Sequence, residues 1–96
     1  MAHYIALIHK DGESCYGVSF PDLPGVFTAG DTIDEAIQKA VTVIAFAAED
    51  WSDLKGEVFP QPRTIDELRL DRAFQEAAYD AVVAAVPFRS PADVAA

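Results

Sequence analysis

The sequence predicts an α+β domain: a three-stranded antiparallel meander, then a helix, a short helical crossover and a fourth strand. Three observations carry that prediction. Residues 15–20 alternate cleanly in size, a Thr-x-x-Glu pattern at Thr32 opens an apolar-striped segment, and Ala81 to Phe88 is continuously apolar. The 96 residues suffice for one hydrophobic core. Six Phe, three Tyr and one Trp within a 51% hydrophobic composition argue for order rather than disorder.

Tyr4 to His9 reads as the first strand, ended by Lys10, Asp11, Gly12 and Glu13, where Asp-Gly is a hairpin signal. In the second strand, Cys15 to Phe20, the large Tyr16, Val18 and Phe20 share one face and the small Cys15, Gly17 and Ser19 the other. Pro21, Asp22, Leu23, Pro24 and Gly25 must break that strand, because two prolines and a glycine cannot sustain a ladder. Val26 to Ala29 resumes it as a short third strand.

At the first helix, Thr32 and Glu35 have capping-box spacing, and Asp34 and Glu35 complement the positive end of the helix dipole. Ile33, Ala36, Ile37, Ala40, Val41, Ile44 and Ala48 form one apolar stripe, continued by Trp51. Val43, Phe46 and Ala47 form a second stripe, which must meet either the later helix or another subunit. Trp51 suits a subunit contact because Trp is enriched at binding hot spots. Ser52 to Arg63 reads as a loop, with Gly56 stopping the helix and Pro60 and Pro62 keeping the connection extended. Thr64, Ile65, Asp66 and Glu67 repeat the capping signal, and helix follows in one or two pieces through Leu68, Leu70, Phe74 and Ala77. The run from Ala81 to Phe88 is expected as a strand buried on both faces, parallel to a meander strand after a right-handed crossover. Residues 1–88 thus form one domain, and 89–96 a short tail.

Sixteen acidic against seven basic side chains leave a formal net charge of −9. Such a surface repels phosphate backbones, so direct nucleic-acid binding is not expected, whereas a basic protein is attracted. A single cysteine, Cys15, forms no internal disulfide and no Cys-based zinc cluster, which fits a reducing cytoplasm. The N-terminus does not read as a signal peptide, and Ala40 to Ala48 is too short to span a bilayer.

Tyr4 to His9, the string Tyr16 to Gly25, and Gly30 to Ala36 together resemble the N-terminal domain of HicB-type antitoxins. The resemblance covers residues 3–51 well and 57–88 loosely; Phe20 to Gly25 and the Gly-Asp-Thr entry to the helix are its most specific parts. It implies a partial ribonuclease H-like fold and a partner of the HicA type, a small basic RNA-cleaving toxin whose site the antitoxin covers. Many relatives add a C-terminal ribbon-helix-helix or helix-turn-helix segment; no such module is read after Phe88.

A ribonuclease H-like fold raises metal-dependent nuclease chemistry, which needs carboxylates converging on two metals. The expected first strand, Tyr4 to His9, carries no acid, and Asp34, Glu35, Glu49 and Asp80 are explained by capping or lie at segment ends. His3 and His9 lack a third ligand, Cys15 lacks a nearby base, and Ser14 and Ser19 lack a nucleophile elbow. The expectation is therefore no enzyme, no cofactor and no metal. Asp22 and Leu23 have two readings, as a strand terminator or as an exposed pair on a rigid loop that meets a basic partner. Tyr16 and Phe20 are core residues or part of that same contact. A self-associating domain without a toxin is the alternative function.

Overall fold

A computed structural model describes residues 2–11, 15–55 and 59–88. In chain order the elements are β1 (His3–Asp11), β2 (Cys15–Ser19), β3 (Phe27–Gly30), α1 (Ile33–Lys55), α2 (Ile65–Leu68), α3 (Arg72–Ala77) and β4 (Val82–Pro87). One antiparallel sheet runs in the order β3-β2-β1-β4, so the first strand lies inside the sheet. The expected meander is present, with Leu7 opposite Ser19 and Val18 opposite Thr28. Of its first turn, expected over Lys10 to Glu13, Lys10 and Asp11 instead continue β1, and Gly12 and Glu13 lie outside the described residues.

The alternation in β2 does what it predicts. Val18 and Phe20 join Tyr4, Ala6, Ile8 and Val86 in the main core, against Ala36, Ala40 and Ile44 of α1. Alanines on the contacting stripe let the helix lie close to the sheet. At Gly30 the approach is tight: an added Cβ would stand 2.6 Å from the Ala36 backbone nitrogen. Each of the larger fully buried side chains contributes about 1.5–3 kcal/mol of transfer free energy.

Both capping signals are realised. Thr32 Oγ1 accepts the Glu35 N–H at 3.0 Å, while the Glu35 carboxylate accepts from Asp31 N–H, one residue further out than a strict box. At Thr64 the box is complete, with Glu67 N–H donating to Thr64 Oγ1 and Thr64 N–H donating back to Glu67. Helix α1 runs on through Lys55, so 52–55 are helical rather than the start of the loop. No Gly or Pro interrupts the segment before Gly56, which itself lies outside the described residues.

The fourth strand departs from expectation in direction and burial. It pairs antiparallel with β1, Val82 opposite Ile8 and Val86 opposite Tyr4, and it is an edge strand. Val82 and Val83 are 46% and 45% exposed. The cause is the route of the chain. After β3, α1 carries it back to the Tyr4 end of β1, where Tyr4 meets Phe59 and donates a hydrogen bond to Pro60. The α2–α3 pair then climbs the opposite sheet face, burying Leu68 and Phe74 on Leu7. It finishes beside His9, whose Nε2–H donates to the Ala77 carbonyl at 2.9 Å. A strand starting there can only descend. The uninterrupted apolar run reflected small residues beside a packed edge rather than burial on both faces.

Candidate functional site

The Pro21–Gly25 segment is a compact plug, held by Leu23 N–H to Phe20 C=O and Val26 N–H to Leu23 C=O, both 3.1 Å. Gly25 takes a φ of 87°, a left-handed conformation that glycine adopts without steric cost. Leu23 is wholly buried, and the Asp22 side chain is only 8% exposed. The Asp22 carboxylate accepts the backbone N–H of Arg63 at 2.7 Å and its Nε–H at 2.6 Å. Arg63 also donates through Nη1 to Asp71 at 3.0 Å, and Asp71 caps α3 by accepting from Ala73 N–H. One guanidinium thus ties the plug to the crossover helices. The bond from Arg63, then that from Ala73, holds the Asp71 carboxyl below its ordinary value; bonds to Asp22 and Asp71 raise Arg63.

This geometry corrects the reading of Asp22 and Leu23 as an exposed pair. Leu23 faces the core and Asp22 is engaged by Arg63, so neither presents its side chain to a partner. Phe20 is buried as well, whereas Tyr16 is half-buried, with Lys10 Nζ 4.6 Å above its ring. Of the four positions marked for subunit contact, Val43 and Ala47 are half-buried and Trp51 is 5% exposed, its ring edge-on to Phe59 at 5.4 Å. Phe46 alone of these is exposed, at 46%. Arg63 and Asp71 were not singled out from the sequence. The pairing of Arg63 with Asp22 spans 41 residues and leaves no periodic trace.

β1 continues two residues beyond His9 and so ends on an acid, Asp11, opposite Cys15. No group of three or more His, Cys, Asp or Glu is placed to hold a metal among the described residues. His3 is exposed opposite Pro87, and Cys15 is a half-buried free thiol. Among the described residues no helix is long and apolar enough to cross a membrane. Exposed acids lie around α1, at Asp31, Asp34, Glu49 and Asp50, and equally along the crossover, at Asp66, Glu67, Glu76 and Asp80.

Residues 4–90 match the family described as HicB_like antitoxin of bacterial toxin-antitoxin system. The chain belongs to this family. Its fold is similar to the antitoxin HicB of Burkholderia pseudomallei, with TM-score 0.72 and 37% identity, over 91% of this chain and 63% of that one. The isolated N-terminal domain of the same HicB matches with TM-score 0.69 and 33% identity, over 91% and 98%. A HicA3 and HicB3 toxin-antitoxin complex contains a chain similar in fold, with TM-score 0.68 and 24% identity, over 91% and 98%. An uncharacterized 14.9 kDa protein of Haemophilus phage HP1 is 40% identical over 52 residues, 54% of this chain and 38% of that protein. The chain therefore spans well under two thirds of the phage protein and just under two thirds of the full-length HicB.

Proposed function

We propose that this chain is an antitoxin domain that neutralises a HicA-type RNA-cleaving toxin by protein–protein contact in the cytoplasm. The observation that carries the reading is the HicB-like match, which spans nearly the whole folded unit, from the first strand through the last. Charge supports it: a net −9 attracts a small basic protein and raises its association rate. With the Pro21–Gly25 plug turned inward, the exposed acids of α1, with Phe46 among them, and those of the α2–α3 crossover are the surfaces available to such a partner. Phe20 and Leu23 then act from the core, and Asp22 through its tie to Arg63. Neutralisation proceeds by occlusion, without a catalytic step by this chain.

The test is co-expression with the small basic protein encoded beside it. Relief of growth arrest and a co-purifying complex are expected; with no such neighbour and no co-purifying partner the antitoxin role fails. A self-associating domain without a toxin is the second reading, favoured by the exposed Phe46. Light scattering with and without the neighbour separates the two.

A further inference from the structure

We propose that the uncovered half of the sheet face opposite α1 seats the basic partner, and that a cavity beside α3 takes one of its lysine or arginine side chains. This deepens the antitoxin reading and rests on it. The strand register defines the face. Leu7 pairs with Ser19 and His9 with Gly17, while Ser19 and Gly17 pair in turn with Phe27 and Ala29. Residues directly opposite one another lie on the same side of a sheet, so all of these share one face. Leu68 and Phe74 of the crossover bury Leu7, and the cover ends there: Ala29 is exposed and Phe27 is 69% exposed.

An antiparallel face left to water ordinarily carries polar and charged side chains. Gly17, Ser19, Phe27 and Ala29 carry no charge, in a chain of which 24% is charged. Two cavities, of about 220 and 270 Å³, open on this strip and have Ser19 in common. The first lies beside α3, with Leu7, Phe20 and Phe74 as its apolar lining and Arg63 and Asp71 as its charged lining. The second is lined by His9, Gly17 and Phe27. Their walls are preset. β2 is paired on both sides, and the His9 bond to the Ala77 carbonyl fixes the end of α3 to β1, so docking orders little that is not already ordered.

Charge selects the occupant. In the tie two carboxylates share one guanidinium, so Asp22, Arg63 and Asp71 together retain one negative charge. Asp22 is enclosed, whereas the Asp71 side chain is 35% exposed, so the excess is presented to the cavity at Asp71. A long basic side chain fits that combination, its aliphatic stem against the apolar lining and its cationic tip at Asp71. The remainder of the strip, with Phe27 uncovered, suits a protein rather than a small molecule.

The test is the affinity of the full chain for the small basic protein encoded beside it, measured by calorimetry with three variants that each add one positive charge. Phe27→Lys and Ala77→Lys place it on the open strip, and Phe46→Lys places it on α1; all three positions are exposed. The strip variants should weaken binding about tenfold or more, and Phe46→Lys by less than about threefold, with melting temperatures near that of the unmodified chain. In the unmodified chain, amide resonances of Gly17, Ser19 and Ala29 should shift on adding the partner while those around Phe46 hold, a readout that needs no variant to fold. Full binding by both strip variants, equal weakening by all three, or resonance shifts confined to α1 overturns the proposal and leaves the antitoxin reading standing. No complex with the unmodified chain overturns both.

Discussion

Replacing Leu23 with alanine separates a buried plug from a binding loop. Leu23 has no exposed surface, and its backbone is fixed on both sides, by Phe20 and by Val26. Asp22, next to it, is held by Arg63, so the loop has little freedom to collapse into the space left behind. Leu→Ala changes at such sites cost about 2–5 kcal/mol, transfer and cavity terms together, and the tethered loop places this one near ~3 kcal/mol. For a domain of this size each kcal/mol lowers the melting temperature by about 4–8 °C, so the expected fall is about 12–24 °C. Thermal unfolding by circular dichroism measures it, and urea titration should show a lower midpoint with an unchanged slope. Well below the new melting temperature, toxin binding should be retained. A fall under about 4 °C, equivalent to roughly 1 kcal/mol, together with lost toxin binding, would refute the burial argument and restore Leu23 as a contact residue.

Three further perturbations follow from the same contacts. Arg63→Ala leaves Asp22 with only a backbone donor; charged hydrogen bonds contribute about 1.5–3 kcal/mol, but Arg63 is 38% exposed, and solvent screening brings the expected loss nearer ~1 kcal/mol. Arg63→Lys should recover little of it in chemical denaturation, since an ammonium cannot keep both carboxylates in place. Gly30→Ala drives a Cβ to 2.6 Å from the Ala36 backbone nitrogen, which cannot swing aside as a side chain would, and should cost about 1–3 kcal/mol by the same assay. Glu35, Glu67 and Asp71 are held below their ordinary values, chiefly by backbone hydrogen bonds at Glu35 and Glu67 and by Arg63 at Asp71. Such groups stabilise the fold above their unfolded values and cease to as pH falls through their folded ones, so melting temperature should drop across the acid range, less steeply in Glu67→Gln.

Elements governed by neighbouring residues were legible from the chain. Alternation placed β2, the proline pair ended it, and two Thr-x-x-Glu signals located both helix starts within a residue of where they occur. What failed was set by distant geometry. The direction of β4 depends on where α3 deposits the chain, and no local pattern encodes that. The Asp22–Arg63–Asp71 tie joins a loop to a connection far along the sequence, so Asp22 looked free when it was not. Leu70 shows the limit of periodicity at short range: it fits the helical stripe, yet it falls in the turn between α2 and α3 and is 87% exposed.

β1 is made first but lies inside the finished sheet, and its β4 neighbour is the last of the four strands of this sheet to be synthesised. At about 5–20 residues per second, Tyr4, Ala6 and Ile8 hold their ladder groups open for a period on the order of seconds before Val86, Ala84 and Val82 arrive. Completion of this sheet is thereby gated by the synthesis of β4 rather than by the formation of the meander. A ribosome that stalls before β4 leaves a chain whose helix can form but whose innermost strand is still an open edge, a ready substrate for chaperones and proteases.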